Sequence, residues 1–270
     1  MMKCSMRRLF HVLVLLGSLL LLHSCASTMR SKNWESALGP VPHSKISPED
    51  LQQKLKITQA FIPSGRYGRI SNRPMVPQYI TIHSTQNYTG DAFAHAKALR
   101  NGALRGGVIG YLCWHFTVQD NAVVQHIPTS ERGEHADFNG PGNRYSIGIE
   151  MCEHKGNDLA RTIDRTAMLA ASLMYHHHIP ISHVVPHYHW PRKGYNPPNK
   201  NCPHFLLEDG KPGRTWAWFL SRVQAHYKRI EQQSPAARPD NSNLANAPGL
   251  PGTPPLPGPV LASYVARKED

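Results

Sequence analysis

Apolar residues change their spacing several times along this chain, and each change marks an element. In TWAWFLSRVQAHYKRIEQQ, Trp216, Phe219, Leu220, Val223 and Tyr227 recur at helical intervals, which predicts an amphipathic closing helix. Leu159 to His178 predicts another, with Ala160, Ile163, Ala167, Ala170, Ala171 and Met174 on its apolar face. SPEDLQQKL joins a serine N-cap to a proline and acids in the first turn, the pattern of a helix start. DAFAHAKALRN reads as a helix as well. Between these lie apolar runs of strand length: YITIHST (79–85), LCWHFTVQ and AVVQHIP joined as a hairpin at Asp120-Asn121, and RYSIGIEMC (144–152) as a buried strand. HIPISHVVPHYHW holds a short strand or turn. Strands interleaved with helices predict an α/β class, a single domain with one mixed β-sheet flanked by helices.

The flanks are patterned differently. Lys3, Arg7 and Arg8 precede an apolar run from Val12 to Leu22, a basic n-region and an h-region too short to span a bilayer comfortably. The run ends in Leu22, His23, Ser24, Cys25, which resembles a bacterial lipobox, where the cysteine is lipidated. Residues 1–24 are therefore expected to be a lipoprotein signal peptide and Cys25 the lipidation site. Ordinary secretion or an uncleaved anchor is the alternative. The chain is expected to be exported and held on a membrane facing the periplasm, and Ala26, where an aspartate would signal inner-membrane retention, favours the outer membrane. Residues 25–46 read as a tether, 47–233 as the domain, and 234–270 as a proline-rich tail that cannot bury a core and is expected to be disordered. With 40% hydrophobic and 18% charged residues the composition is ordinary, but the net charge of +12 predicts an anionic partner. Nucleic acid, a membrane face and cell-wall polymer all fit that charge; export removes nucleic acid.

Candidate chemistry concentrates in PHYHWPRKGYNPPNKNCPHF (186–205), which gathers His187, His189, Lys200, Cys202 and His204 among prolines in what reads as an ordered loop. Thiolate and imidazole are ligands that zinc prefers. His83 ends the strand YITIH, the place where α/β folds present functional side chains. Together His83, His187 and Cys202 would leave a fourth coordination position open, the pattern of a catalytic rather than a structural zinc (Zn2+) site. Cys113 and Cys152 lie in strand-like runs and read as core thiols; a disulfide between them is the alternative in an exported protein.

The motifs IHST (82–85), WHFTV (114–118), QHIP (125–128), EHA (134–136), SIGIE (146–150) and HYHW…KNCPHF (187–205) resemble, in order, those of zinc-dependent N-acetylmuramoyl-L-alanine amidases, related to phage lysozyme-type amidases and peptidoglycan recognition proteins. The resemblance implies that fold, and hydrolysis of the amide between the lactyl group of N-acetylmuramic acid and L-alanine, with peptidoglycan or muropeptides as partner. It places metal ligands on His83, His187 and Cys202, preferring His187 because His189 stands where the family's motif has aspartate. It implies Glu150 as general base and Lys200 as oxyanion stabiliser, with Trp114, His115, His135 and Asn143 lining a substrate cleft. Trp114 stands where some relatives have tyrosine, so shape or stacking is its expected role. The loop PRKGYNPPN is longer than is usual in the family and is expected to reshape the groove. A monomer is expected. Functional alternatives are a non-catalytic peptidoglycan-binding module and a zinc peptidase cutting the stem peptide.

Overall fold

The computed structural model describes residues 34–69, 73–102, 104–105, 108–109 and 112–231. The signal segment, Cys25 and the tail from 234 lie outside them. The chain divides into two units, Met1–Gly39 and Pro40–Asp270. In the first, a short helix α1 (Trp34–Leu38) is the described part, within the segment read as a tether. The second takes in residues ahead of Ser47: Val41 and Ile46 are buried, and Ile46 bridges to Ile230.

From there the elements run α2 (Pro48–Leu55), β1 (Ile57–Gln59), β2 (Tyr79–Ser84), α3 (Ala92–Arg100), β3 (Leu104–Arg105), β4 (Val108–Ile109), β5 (Phe116–Val118), β6 (Val123–Gln125), α4 (Pro141–Tyr145) and β7 (Ser146–Met151). Helix α5 (Leu159–His177), β8 (Val184–Pro186), β9 (Leu207–Glu208), β10 (Lys211–Pro212) and α6 (Arg214–Arg229) complete them. The helices start where capping chemistry dictates. Ser47 Oγ accepts from the Asp50 amide at 3.0 Å and Asp91 Oδ1 from the Ala94 amide at 2.7 Å. Helix α5 stops at His178, which turns left-handed at φ 56°.

The 6-stranded sheet has the order β1-β6-β5-β7-β2-β8, and β5–β6 is its antiparallel pair, so it is mixed as expected. In the β2–β7 pairing Ile80 lies beside Ile147 and Ile82 beside Ile149, all fully buried. Strand alternation then puts Thr81, Gly148, His83 and Glu150 together on the other face, with His83 directly beside Glu150. The helical layer is cross-linked where Asp164 of α5 accepts from Arg222 Nε (2.6 Å) and His226 Nε2 (2.7 Å) of α6.

One expectation is corrected. The hairpin strands are shorter than their apolar runs: ahead of β5 Cys113 exchanges backbone bonds with Glu134, and the His115 amide donates to the Gly148 carbonyl of β7 while its own carbonyl accepts from the His126 amide. The glycine-rich DFNGPGNR runs into α4: Asp137 accepts the amides of Gly142 and Asn143, both at 2.8 Å, and Pro141 opens the helix. The reading of Cys113 and Cys152 as core thiols holds: both are free and buried, in separate apolar clusters.

Candidate metal centre

Two strand ends and a loop bring the donors together. His83 closes β2. Because β8 lies parallel to β2, with Ile82 beside Pro186, the turn His187–His189 that follows emerges at the same rim. That turn is anchored by fully buried Trp190, whose indole donates to Thr81 Oγ1 at 2.8 Å; Thr81 donates to Ser146 Oγ (2.7 Å), and Ser146 to the Gly142 carbonyl (2.6 Å). Each hydroxyl in this relay both accepts and donates, so no buried polar group is stranded. Cys202 is held from two directions: the Ser84 amide donates to its Sγ at 3.4 Å, and its carbonyl accepts from the Tyr188 amide at 3.2 Å.

The result is a group, His83, His187 and Cys202, whose ligand atoms all lie within 4.8 Å of one another. His189 is not among them; its ring packs edge-on to Trp190 at 4.5 Å. His187 Nε2 donates to the Ala136 carbonyl at 2.8 Å, and its Nδ1 is buried without a partner among the described residues. His83 Nε2 lies 3.0 Å from His135 Nδ1. Burial holds His187 down to about 3 and His83 well below the usual imidazole range, with the Lys200 charge adding to both. Both rings are therefore neutral, with lone pairs to give. Burial, reinforced by Glu150, pushes the Cys202 thiol up to about 12, so this sulfur needs a cation to become a thiolate. Two neutral imidazoles, one with an orphaned lone pair, and a buried sulfur fit a borderline-soft metal ion.

Glu150 Oε1 stands 4.0 Å from His83 Nδ1, and Oε2 is buried without a partner among the described residues. Burial raises its carboxyl to about 7, against the Lys200 charge and with Glu153 adding to the rise.

These groups open onto a cleft of about 510 Å³ whose lining includes His83, Trp114, His135, Asn143, Glu150, His187 and Lys200. Trp114 donates its indole N–H to Thr117 Oγ1 at 2.7 Å, which leaves its ring as wall. His115 does not line the cleft. It is fully buried, its Nδ1 accepting from the Gly148 amide (3.0 Å) and its Nε2 donating to the Glu131 carbonyl (2.8 Å), so both nitrogens serve the fold. Asn143 is buried, and its Oδ1 accepts the amides of His135 and Ala136. Sequence reasoning missed Leu112, Phe138 and Arg192, which also line the cleft. Arg192 comes from the long loop, its guanidinium 4.1 Å over the Tyr195 ring, and Tyr195 stacks on exposed Phe138 at 5.9 Å. The signal for them was the unusual loop length and an aromatic in a polar glycine-rich stretch.

A buried carboxyl held near 7 beside neutral nitrogen and sulfur donors is the equipment of metal-dependent hydrolases. A family model described as N-acetylmuramoyl-L-alanine amidase (Amidase_2) matches residues 72–205. The amidase XlyA of Bacillus subtilis is 42% identical over 175 residues, covering 63% of this chain and 51% of that protein. CwlH of the same organism is 36% identical over 187 residues, covering 67% and 66%. Among solved structures, a mutant endolysin from Bacillus subtilis matches with a TM-score of 0.53 at 40% identity, over 63% of this chain and 99% of that one. The catalytic domain of XlyA matches at 0.51 and 39%, over 62% and 99%. This chain belongs to the N-acetylmuramoyl-L-alanine amidase family. It spans about half to two thirds of the length of these curated relatives, 51% and 66%.

Proposed function

We propose that this protein hydrolyses the amide bond between the lactyl group of N-acetylmuramic acid and L-alanine in peptidoglycan or its muropeptide fragments, with zinc held by His83, His187 and Cys202. The observation that carries this reading is the cluster of those donors, within 4.8 Å of one another, at a cleft inside the matched family region. Held by these three residues, zinc would supply Lewis acidity at the scissile carbonyl and an activated water. Glu150, held near neutrality at about 7, accepts the proton of that water and returns it to the leaving amine of L-alanine. Lys200 brings a positive charge to the cleft where negative charge develops on the carbonyl oxygen. Trp114, Leu112 and Phe138 offer apolar wall to the glycan and peptide.

The decisive experiment is product identification by mass spectrometry on defined muropeptides, with and without a chelator. Release of intact stem peptide beginning at L-alanine, abolished by the chelator and in Cys202→Ala, is the expected result. Cleavage within the peptide, or activity that survives both treatments, overturns the reading. The export segment and Cys25 lead us to infer a lipid-anchored enzyme facing the periplasm from the outer membrane, where anionic wall polymer meets the +12 charge. Radiolabelled palmitate incorporation lost in Cys25→Ser tests the anchor, and membrane fractionation tests which membrane holds it.

A further inference from the structure

The two histidines of the donor cluster lean on neighbouring residues of one segment. His83 Nε2 meets His135 Nδ1 at 3.0 Å, and His187 Nε2 meets the carbonyl of the next residue, Ala136, at 2.8 Å. A carbonyl only accepts, so His187 carries its proton on Nε2 and keeps the Nδ1 lone pair. His135 Nε2 lies 3.2 Å from the Ser146 carbonyl, so a neutral His135 carries its proton there and its Nδ1 accepts. That obliges His83 to donate from Nε2, which again leaves Nδ1 as the free lone pair. Two carbonyls thus set three imidazole tautomers, and both cluster histidines present the same nitrogen.

The segment that does this is itself clipped. Asn143 Oδ1 accepts the amides of His135 (2.9 Å) and Ala136 (2.7 Å), while its amide group donates to Glu134 Oε2 (2.8 Å) and to the Phe138 carbonyl. Asn143 is in turn seated by Asp137 at the start of α4, and Ala136 packs with Tyr79, Val185 and Trp190. Room for the His135 ring is made by Gly148, where a Cβ would stand 2.8 Å from ring atoms. Gly148 on β7 belongs to the sheet that carries His83 and Glu150, so the clip and the donors share one frame.

We propose that His135 and Asn143 are positioning residues. They hold the His135–Ala136 segment so that it orients His83 and His187 and fixes both as Nδ1 donors, rather than contacting substrate as their sequence motifs imply. This rests on the reading that His83 and His187 ligate a metal. Outer partners of this kind change metal affinity about 10- to 100-fold when removed.

Zinc affinity is measured by competition with a chromogenic chelator on the purified chain, and histidine tautomers by ¹H–¹⁵N correlation spectra of the metal-free protein. His135→Ala and Asn143→Ala are expected to weaken zinc binding about 10- to 100-fold. His135→Asn restores an acceptor at the Nδ1 position and is expected to recover most of that loss. The wild-type spectrum should show His83 and His187 as Nε2–H tautomers, with mixed His83 tautomers in His135→Ala. Affinities within twofold of wild type in both alanine variants, or an Nδ1–H form of His83 in the wild type, overturn the proposal. Should the alanine variants fail to fold, the wild-type tautomers and His135→Asn decide it. If the wild type itself binds no zinc, the metal reading of the site falls instead, which the same titration reveals.

Discussion

At the rim of β5 stands His115 and at the rim of β8 stands His187, two buried imidazoles each held down to about 3, chiefly by burial. The likeness ends there. His115 has one nitrogen accepting from β7 and the other donating to Glu131, so it works as a bolt between strand and loop. His187 donates from one nitrogen and leaves the other unanswered. Other buried polar atoms also lack partners among the described residues, His126 Nδ1 and His189 Nε2 included, so an orphan alone marks nothing. What separates Glu150, His187 and Arg192 is that each has such an atom and also lines the cleft. Burial and residue type do not make a functional group; an unmet bonding capacity facing a cavity does.

Removing His187 gives the largest effect by which to test the contrast. His187→Ala is expected to lose bound zinc on dialysis and all amidase activity. Added zinc at a hundred times its Kd should stabilise the wild type by about 2.7 kcal/mol, and this variant not at all, read as the shift in a thermal melt. His115→Ala should keep both metal and the zinc-dependent shift. If it lost the metal too, the two histidines would not differ as described.

Glu150 comes next. Its replacement by Gln removes the proposed proton acceptor while keeping a similar shape beside His83, so kcat should fall by about 10² to 10⁴ with zinc content unchanged. A fall in zinc content of the same order would make Glu150 a ligand-orienting group instead.

How much of this could be read without coordinates follows from the same contrast. The long helices and the β2 and β7 strands were legible because each repeats its apolar period several times; β1 and α4 were not, because three or five residues hold no period. The donors His83, His187 and Cys202 were legible as residue types in motifs. The bonding around them was not. His115 looked like a cleft residue and Asn143 like a substrate contact, and only tertiary structure reveals that Gly148, Glu131, His135 and Ala136 claim their polar atoms. The Ala136 carbonyl, which orients His187, is a backbone group that residue identity never announces.

On the fold side of the contrast, His115→Ala leaves the Gly148 amide and the Glu131 carbonyl without partners, costing about 1–3 kcal/mol for each such group. It also changes the pH response. A histidine whose folded pKa lies near 3 binds its proton more readily when unfolded, where the value is near 6.5, so stability is full above 6.5 and declines as pH falls towards 3. Between pH 6.5 and 5 this single group accounts for roughly 2 kcal/mol. Denaturant unfolding of metal-free wild type and His115→Gln at both pH values measures it. The variant should lose less stability on acidification, and equal losses would show that His115 does not hold its proton off in the folded state.

The smallest expected effect concerns Arg192, the third group with an unpartnered buried atom at the cleft. Tyr195 supports its guanidinium from one side at 4.1 Å, and Phe138 supports Tyr195 in turn, so the charge is held in place by ring faces rather than by an acid. A preplaced guanidinium of this kind suits a substrate carboxylate, of which stem peptides carry several. Because it would bind ground state and transition state alike, Arg192→Gln should raise KM about three- to tenfold, on the order of 1 kcal/mol, and leave kcat nearly unchanged. The rise should shrink on muropeptides whose peptide carboxylates are amidated. A loss in kcat with KM unaltered would instead tie Arg192 to the reacting bond, and its unmet bonding capacity would then belong with that of Glu150 and His187.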